Sequence, residues 1–176
     1  MNKLFDAQGK EIPPRPTWSE DSETIIRIAL DKIFCSKHCY FEEHERKELA
    51  SSLSSHYMPY CDEFLLAKDF EWDGWDVNRE FVEQLKNIGR YLIEAESSLV
   101  KAWATEFAPV PPFEIGALLI GFDWRDQCEA VGTITGICNR PATYLVKFPD
   151  NDDNSRHLIR FEDAVLADEV KACQLR

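Results

Sequence analysis

The sequence predicts an α+β protein in which an N-terminal helical part packs on a small antiparallel β-barrel at the C-terminus. Over much of residues 19–108, apolar residues recur every three or four positions, which is the spacing of amphipathic helices. After the proline-rich residues 108–113, the chain changes to short β-branched or aromatic runs separated by polar turns. Because helices and strands are segregated rather than alternating, the order favours α+β over a parallel α/β fold.

The first 18 residues are predicted to form an extended tail. Pro13, Pro14 and Pro16 exclude a helix there and favour a polyproline-like backbone. The predicted organisation is therefore a tail at residues 1–18, a helical part at 19–108 and a barrel with a short helical end at 113–176.

Two helices are predicted at the start of the helical part, over residues 19–34 and 40–58. Ser19 is a suitable cap for the first helix, and Pro59 ends the second. The segment 61–72 is compatible with either a short helix or a strand, since its apolar run is short.

The longest predicted helix lies near residues 78–107. Its apolar positions follow alternating steps of four and three residues, as in helices that pack lengthwise against other helices. Asp76 or Asn78 is expected to cap it, and Pro109 ends it.

Four strands are predicted in the C-terminal part, followed by a short helical segment at 162–171. The strands are residues 117–122, 130–137, 142–148 and 157–161. The polar residues 150–154 form a turn between the last two strands. The predicted core consists of Ile26, Leu30, Ile33, Leu85, Ile88, Leu92, Leu99, Leu119, Val131, Ile134, Leu145 and Val146.

The strand sequences GALLIGFDW, CEAVGTITGI, ATYLVKF and RHLIRFEDAV, within residues 114–168, resemble the small twisted barrels of the Tudor and KOW kind. The resemblance implies a strongly bent barrel. Such barrels bind nucleic acids or peptides or act in a chaperone-like way, so the fold alone does not assign a function. Members that bind nucleic acid usually carry basic grooves, whereas the basic residues here are offset by nearby acids.

The composition limits the classes of partner. The 176 residues carry 20 basic and 32 acidic side chains, a formal net charge of −12. This charge repels nucleic-acid phosphates and anionic lipids, so we expect a basic protein partner and neither direct nucleic-acid nor membrane binding. The sequence begins without an apolar signal core, which predicts a cytoplasmic protein whose six cysteines are mostly reduced.

Tryptophans beside carboxylates form the candidate partner-binding set, because tryptophan is a strong interface anchor. These residues are Trp72, Asp73, Trp75, Asp76, Asp123, Trp124 and Asp126. An alternative use of the aromatic rings is to fill the boundary between the helical and barrel parts.

A second candidate site consists of the cysteines and histidine of a C-x-x-H-C segment with one cysteine downstream. Zinc prefers four such ligands in a tetrahedron, and the candidates are Cys35, His38, Cys39 and Cys61. A thiol nucleophile activated by a nearby histidine would use the same segment. The alternative is that these cysteines are buried as small apolar side chains.

These observations predict a non-catalytic acidic interaction module, an adaptor or an inhibitor of a basic protein. Its carboxylates would in one version imitate a nucleic-acid backbone and occupy a nucleic-acid-handling protein. The alternative is a small zinc- or thiol-dependent enzyme centred on Cys35, His38 and Cys39. Glycine-rich phosphate loops are absent from the sequence, which disfavours nucleotide enzymes of those classes.

Overall fold

The computed structural model describes residues 2–37, 39–123, 128–149, 152 and 154–167. It confirms the α+β class, with helices in the N-terminal part and an antiparallel sheet in the C-terminal part. The chain divides into two compact units. The sheet unit consists of Met1–Pro14 with Trp103–Arg176, and the helical unit is Arg15–Ala102.

The helices are α1 (Trp18–Phe34), α2 (Arg46–His56), α3 (Glu63–Trp72) and α4 (Arg79–Phe107), with a 3₁₀ turn at Glu43–Glu45 before α2. The predicted cap of α1 is wrong by two residues. Thr17 occupies the N-cap position, and its backbone N–H donates to the Asp21 carboxylate at 3.0 Å. Ser19 therefore lies within the first turn, because the Asp21 carboxylate anchors the chain one residue before Trp18.

The ambiguous segment 61–72 is helical. The Asp62 carboxylate accepts hydrogen bonds from the backbone N–H groups of Phe64 and Leu65, at 2.8 and 3.1 Å, which is the N-cap arrangement of a helix. The start of α4 is capped as predicted, since the side-chain oxygen of Asn78 accepts from the N–H of Phe81 at 3.0 Å.

The core of the helical unit is built on the apolar stripe of α4. The stripe comprises Phe81, Leu85, Ile88, Leu92 and Ala95, all fully buried. The buried faces of α1, α2 and α3 join the same cluster. Deeply buried side chains include Ile25, Leu30, Leu49, Leu53 and Phe70.

The sheet contains β1 (Leu118–Asp123), β2 (Cys128–Ile137), β3 (Thr143–Lys147), β4 (His157–Arg160) and β5 (Val165–Leu166). Their order is β4-β3-β2-β1-β5, every pair is antiparallel, and the sheet curls into a half-barrel. A closed barrel, and packing of the helical part on it, stay predictions.

The predicted helical segment at residues 162–171 differs at its start, whereas Ala167 is helical. A 3₁₀ turn at Phe161–Asp163 leads directly into the short strand β5, which pairs with Leu119 and Ile120 of β1. Residues 168–176 lie outside the described residues, as do three of the five residues of the polar turn predicted at 150–154. The fifth strand forms because the β1 edge offers unpaired backbone groups to the returning chain.

The sheet core also includes residues from the N-terminus. Leu4 and Ile12 pack in the same cluster as Leu119, and the backbone N–H of Asn2 donates to the Glu162 carbonyl at 2.7 Å. One predicted core residue, Val131, is instead exposed. Successive side chains of a strand point to opposite faces, so the inward orientation of Gly132 and Ile134 turns Val131 outward.

Candidate protein-interaction surface

Helix α3 is apolar on both of its sides. Leu66, Ala67 and Phe70 are buried against the helical unit, yet Phe64 and Leu65 on the outer side are 64% and 61% exposed. A helix with apolar residues all round is normally covered all round, whereas a surface helix carries one apolar stripe. The outer side of α3 therefore differs from an ordinary solvated helix face.

The outer residues of α3 fall into two neighbouring rows. Leu65, Asp69 and Trp72 follow the i, i+4, i+7 spacing of one row, and Phe64, Lys68 and Glu71 follow the same spacing in the next. All six side chains are exposed, and Trp72 is the most exposed of them at 89%. We call this set the acidic–aromatic surface: an apolar centre with carboxylates interspersed and a single lysine.

The connection between α2 and α3 adds further exposed apolar side chains directly before this surface. Met58 is exposed, and the ring of Tyr60 is 87% exposed. Tyr60 has a φ of 65°, in the left-handed region that residues other than glycine rarely adopt. The backbone is thus held in a costly conformation that leaves an aromatic ring in water, a combination found at functional sites.

A groove of about 430 Å³ lies beside the start of α3 and along α4. Its apolar lining includes Tyr57, Leu85 and Ile93, and Tyr60 and Glu63 also line it. Burial of the phenol raises the pKa of Tyr57 to about 12, so this hydroxyl is neutral at physiological pH. The groove gives the helical unit a concave apolar feature next to the acidic–aromatic surface.

The two predicted tryptophans of this region have different environments. Trp75 is partly buried in an aromatic cluster, with ring centroids 5.8 Å from those of Phe41, Phe70 and Phe81. Its indole N–H donates to the Ser52 hydroxyl at 3.1 Å. Trp75 therefore belongs to the core of the helical unit, and Trp72 belongs to its surface.

Asp73 follows α3 and joins it to α2. Its carboxylate accepts hydrogen bonds from the Ser52 hydroxyl at 2.8 Å and from His56 Nε2 at 3.0 Å. The Ser52 hydrogen bond, followed by the hydrogen bond and charge of His56, lowers the pKa of Asp73. Serine, histidine and aspartate all occur here, but the serine hydroxyl donates to the aspartate rather than to a histidine base, so the arrangement is not that of an activated nucleophile. Asp76, in the same loop, is exposed.

The remaining predicted partner-binding residues lie at the end of β1. Trp124 and Asp126 are outside the described residues, and Asp123 ends β1 with a side chain that the structure does not describe. Their assignment to the partner-binding set therefore remains a prediction from the sequence. The structure thus places Trp72 together with Asp73 at one end of α3 and assigns Trp75 to the neighbouring core.

The predicted metal or thiol site is only partly described. Cys35 is exposed after α1, and Cys39 is partly buried with its thiol donating to the Phe41 carbonyl at 3.3 Å. Cys61 lines the groove beside α3, and His38 lies outside the described residues. Within the described part of the chain, no three His, Cys, Asp or Glu side chains are grouped so as to hold a metal ion. The zinc and thiol hypotheses stay predictions.

Sequence reasoning did not identify Phe64, Leu65, Met58 and Tyr60 as surface residues. The available signal was the segment EFLLAKDFEW, in which six of ten residues are apolar without one-sided spacing. A helix of that composition cannot bury all its apolar side chains against a single neighbouring core.

Comparison with protein-family models, with curated proteins and with solved structures finds no match to this chain. The resemblance of the C-terminal strands to Tudor and KOW barrels therefore stays an expectation. Among the described residues, no helix is both long enough and apolar enough to cross a membrane.

Proposed function

We propose that this chain is a non-catalytic, cytoplasmic interaction module that binds a basic protein through the acidic–aromatic surface of α3. The observation that carries the proposal is the exposure of Phe64, Leu65 and Trp72 on a helix that already buries its opposite side. Exposed apolar groups ringed by polar ones are typical of protein interaction sites. The free thiols of Cys35, Cys39, Cys61 and Cys138 are consistent with a reducing compartment.

The charge around this surface specifies the chemistry of the partner. Residues 58–76 contain six carboxylates and one lysine. We expect a partner segment that presents apolar side chains to Trp72 and basic side chains to Asp69 and Glu71. Such complementarity accelerates association and weakens as salt is added.

The apolar residues of the acidic–aromatic surface also indicate which type of contact the partner makes. A basic nucleic-acid-handling protein is one member of the proposed class, with carboxylates in the place of phosphates. A surface that only imitated a phosphate backbone would gain little from an exposed indole, whereas a tryptophan buried at a protein interface is a frequent energetic centre. We therefore favour a mixed apolar and ionic contact over charge mimicry alone.

The test is capture of partners by the tagged full chain from a nuclease-treated lysate of the source cell, with elution by a salt gradient and identification by mass spectrometry. We expect a basic protein that is released at moderate salt. Trp72→Ala should abolish its capture, because an interface tryptophan contributes about 2 kcal/mol or more. Asp69→Asn combined with Glu71→Gln should shift its release to lower salt.

Two matched controls distinguish this surface from net charge. Glu48→Gln with Glu106→Gln removes the same charge from exposed positions on other helices, and Phe5→Ala removes an exposed aromatic ring of the sheet unit. Both controls should retain the partner at wild-type salt. Equal losses in the control and α3 variants would refute binding at this surface, as would a captured partner whose retention does not depend on salt.

A further inference from the structure

Among the described residues, β4 has a neighbouring strand on one side only, so backbone groups on its other side have no strand partner. Thr143 pairs with Arg160 and Tyr144 with Ile159, and the N–H of Phe161 donates to the Ala142 carbonyl. In an antiparallel ladder, residues bond to the neighbouring strand at every second position. Since Phe161 bonds to β3, Ile159, two positions earlier, also bonds to β3. The N–H and C=O groups of Leu158 and Arg160 then point to the opposite side, away from β3.

The opposite edge of the sheet is also incompletely covered. β5 pairs with only Leu119 and Ile120 of β1. The N–H of Ile134 on β2 donates to the Ala117 carbonyl. Backbone groups of successive residues alternate between the two sides of a strand, so those of Gly121 point to β2 and those of Phe122 point to the side where β5 lies. β5 ends its pairing at Ile120, which leaves Phe122 beyond its reach.

A cleft of about 310 Å³ lies between these two incomplete edges. Residues of both strands line it, including Gly121 of β1 and His157 and Ile159 of β4, with Phe148 between them. A Cβ atom on Gly121 would lie 2.6 Å from Phe148 Cζ, so the glycine is what lets the ring fill this position. His157 packs edge-to-face on the same ring at a centroid distance of 4.8 Å.

The β4 edge is less acidic than the chain as a whole. Residues 155–163 contain Arg156 and Arg160 against Glu162 and Asp163, of which Glu162 is buried, in a protein of net charge −12. Arg160 is exposed on the outer face of the sheet. Asp163 is the acidic residue among those lining the cleft.

We propose that the cleft between β4 and β1 binds an extended peptide of a partner protein, which adds to β4 as an antiparallel strand. Leu158 and Arg160 supply the backbone hydrogen bonds. Side chains of an added strand alternate between faces, so its inward residues are apolar, against Ile159 and Gly121, and its outward residue beside Arg160 is acidic. This site lies in the sheet unit and does not depend on the acidic–aromatic surface.

The direct test uses amide hydrogen exchange of the full chain, followed by NMR, with and without a capped octapeptide of alternating valine and glutamate. Without peptide, the amides of Leu158 and Arg160 should exchange rapidly, and that of Ile159 slowly. With peptide, the Leu158 and Arg160 amides should gain at least tenfold protection. The same peptide with every second amide N-methylated should give no protection, because it cannot complete the ladder.

Side-chain variants test the charge preference. Arg160→Glu should weaken the affinity for the octapeptide about 5-fold, and Asp163→Asn should strengthen it about 2-fold, from the size of cross-strand charge pairs. Arg140→Glu makes the same charge change in the exposed turn before β3 and should leave the affinity unchanged. A lysine-for-glutamate peptide should bind more weakly.

The proposal is overturned if the octapeptide at millimolar concentration protects neither amide, or if the N-methylated peptide binds equally well. Unchanged affinity in Arg160→Glu, where the variant retains the wild-type circular dichroism spectrum, would overturn the acidic preference. Because the exchange measurement uses the unmodified chain, misfolding of a variant does not leave the strand addition untested.

Discussion

Within the described part of the chain, both units leave groups uncovered, but the kind of group differs. In the helical unit, α3 leaves side chains uncovered: two apolar residues and a tryptophan among carboxylates. In the sheet unit, β4 leaves backbone groups uncovered, on an edge that carries the exposed Arg156 and Arg160. If the two proposals hold, the first surface selects a partner by charge and apolar shape, and the second selects it by extended conformation.

Because of this difference, we expect partner binding at the two units to respond differently to salt and to mutation. Binding at α3 rests on screened surface charges and on exposed rings, so side-chain changes should affect it without affecting stability. Strand pairing at β4 depends on backbone N–H and C=O groups. Among substitutions, only one to proline removes such a group, because proline lacks the backbone N–H. An adaptor with both surfaces could hold a basic and an acidic partner segment at once.

The largest expected effect distinguishes the two sides of α3. Phe70→Ala should lower the free energy of unfolding by about 3–5 kcal/mol, because the ring is fully buried against Trp75 and Phe81. Phe64→Ala, on the outer side of the same helix, should change it by less than about 0.5 kcal/mol. Urea denaturation followed by circular dichroism measures both. A comparable loss in Phe64→Ala would mean that the outer side is covered within the chain.

The next effect tests whether the two neighbouring tryptophans differ in role. Trp75→Ala should cost about 2–4 kcal/mol of unfolding free energy, since it removes a ring of the aromatic cluster and the hydrogen bond to Ser52. Trp72→Ala should leave the denaturation midpoint unchanged while it abolishes partner capture. The assignment of Trp72 to the surface would be wrong if its removal also shifted the midpoint by a similar amount.

A smaller effect is expected in the sheet unit, where glycines make room for large rings. A Cβ atom at Gly132 would lie 2.6 Å from Val146 Cγ1 and 2.9 Å from Phe148 Cε1, so Gly132→Ala should cost about 1–3 kcal/mol through overpacking. Gly136→Ala is the matched control in the same strand, because its nearest neighbour would be 3.8 Å away. Thermal denaturation of the two variants should separate them, and equal midpoints would contradict the close approach of Phe148.

The helical unit shows how far sequence reasoning reaches. α4 was predictable because its stripe buries one face only, so the period of its apolar residues gives both the helix and its core side chains. α3 was ambiguous because Phe64 and Leu65 add outward apolar positions to the inward Leu66 and Phe70, which removes the period. The outward apolar residues that remove the helical period from the sequence are the same ones on which the proposed interaction surface rests.

The sheet unit shows a different limit. The strands β1 to β4 were predictable from β-branched runs between polar turns, but β5 was not, because two residues are too few for a pattern. Val131 was assigned to the core because composition alone does not say which face of a strand is inward. The open edge at β4 depends on the register between Thr143 and Arg160, a long-range property that no local pattern contains.

The smallest expected effect concerns the polar tie between α3 and α2, and its sign follows from the pKa of Asp73. Because the Ser52 hydrogen bond and His56 lower that pKa, the carboxylate stabilises the fold at any pH above its ordinary value near 4. This contribution is lost as the pH falls through the lowered value. Asp73→Asn should therefore lower the melting temperature slightly at pH 7, and the difference from wild type should shrink below about pH 4.

Asp76→Asn is the matched control for this pH dependence, because Asp76 is an exposed carboxylate of the same loop. Its melting temperature should follow that of the wild type from pH 7 to pH 3. If the Asp73→Asn difference stayed constant over this range, the charge of Asp73 would contribute nothing, and the tie would consist of neutral hydrogen bonds alone. A difference in melting temperature that shrinks on acidification would instead establish that an ionised carboxylate holds the loop between Trp72 and Trp75. The same carboxylate would then fix the position of the exposed Trp72 relative to the buried Trp75.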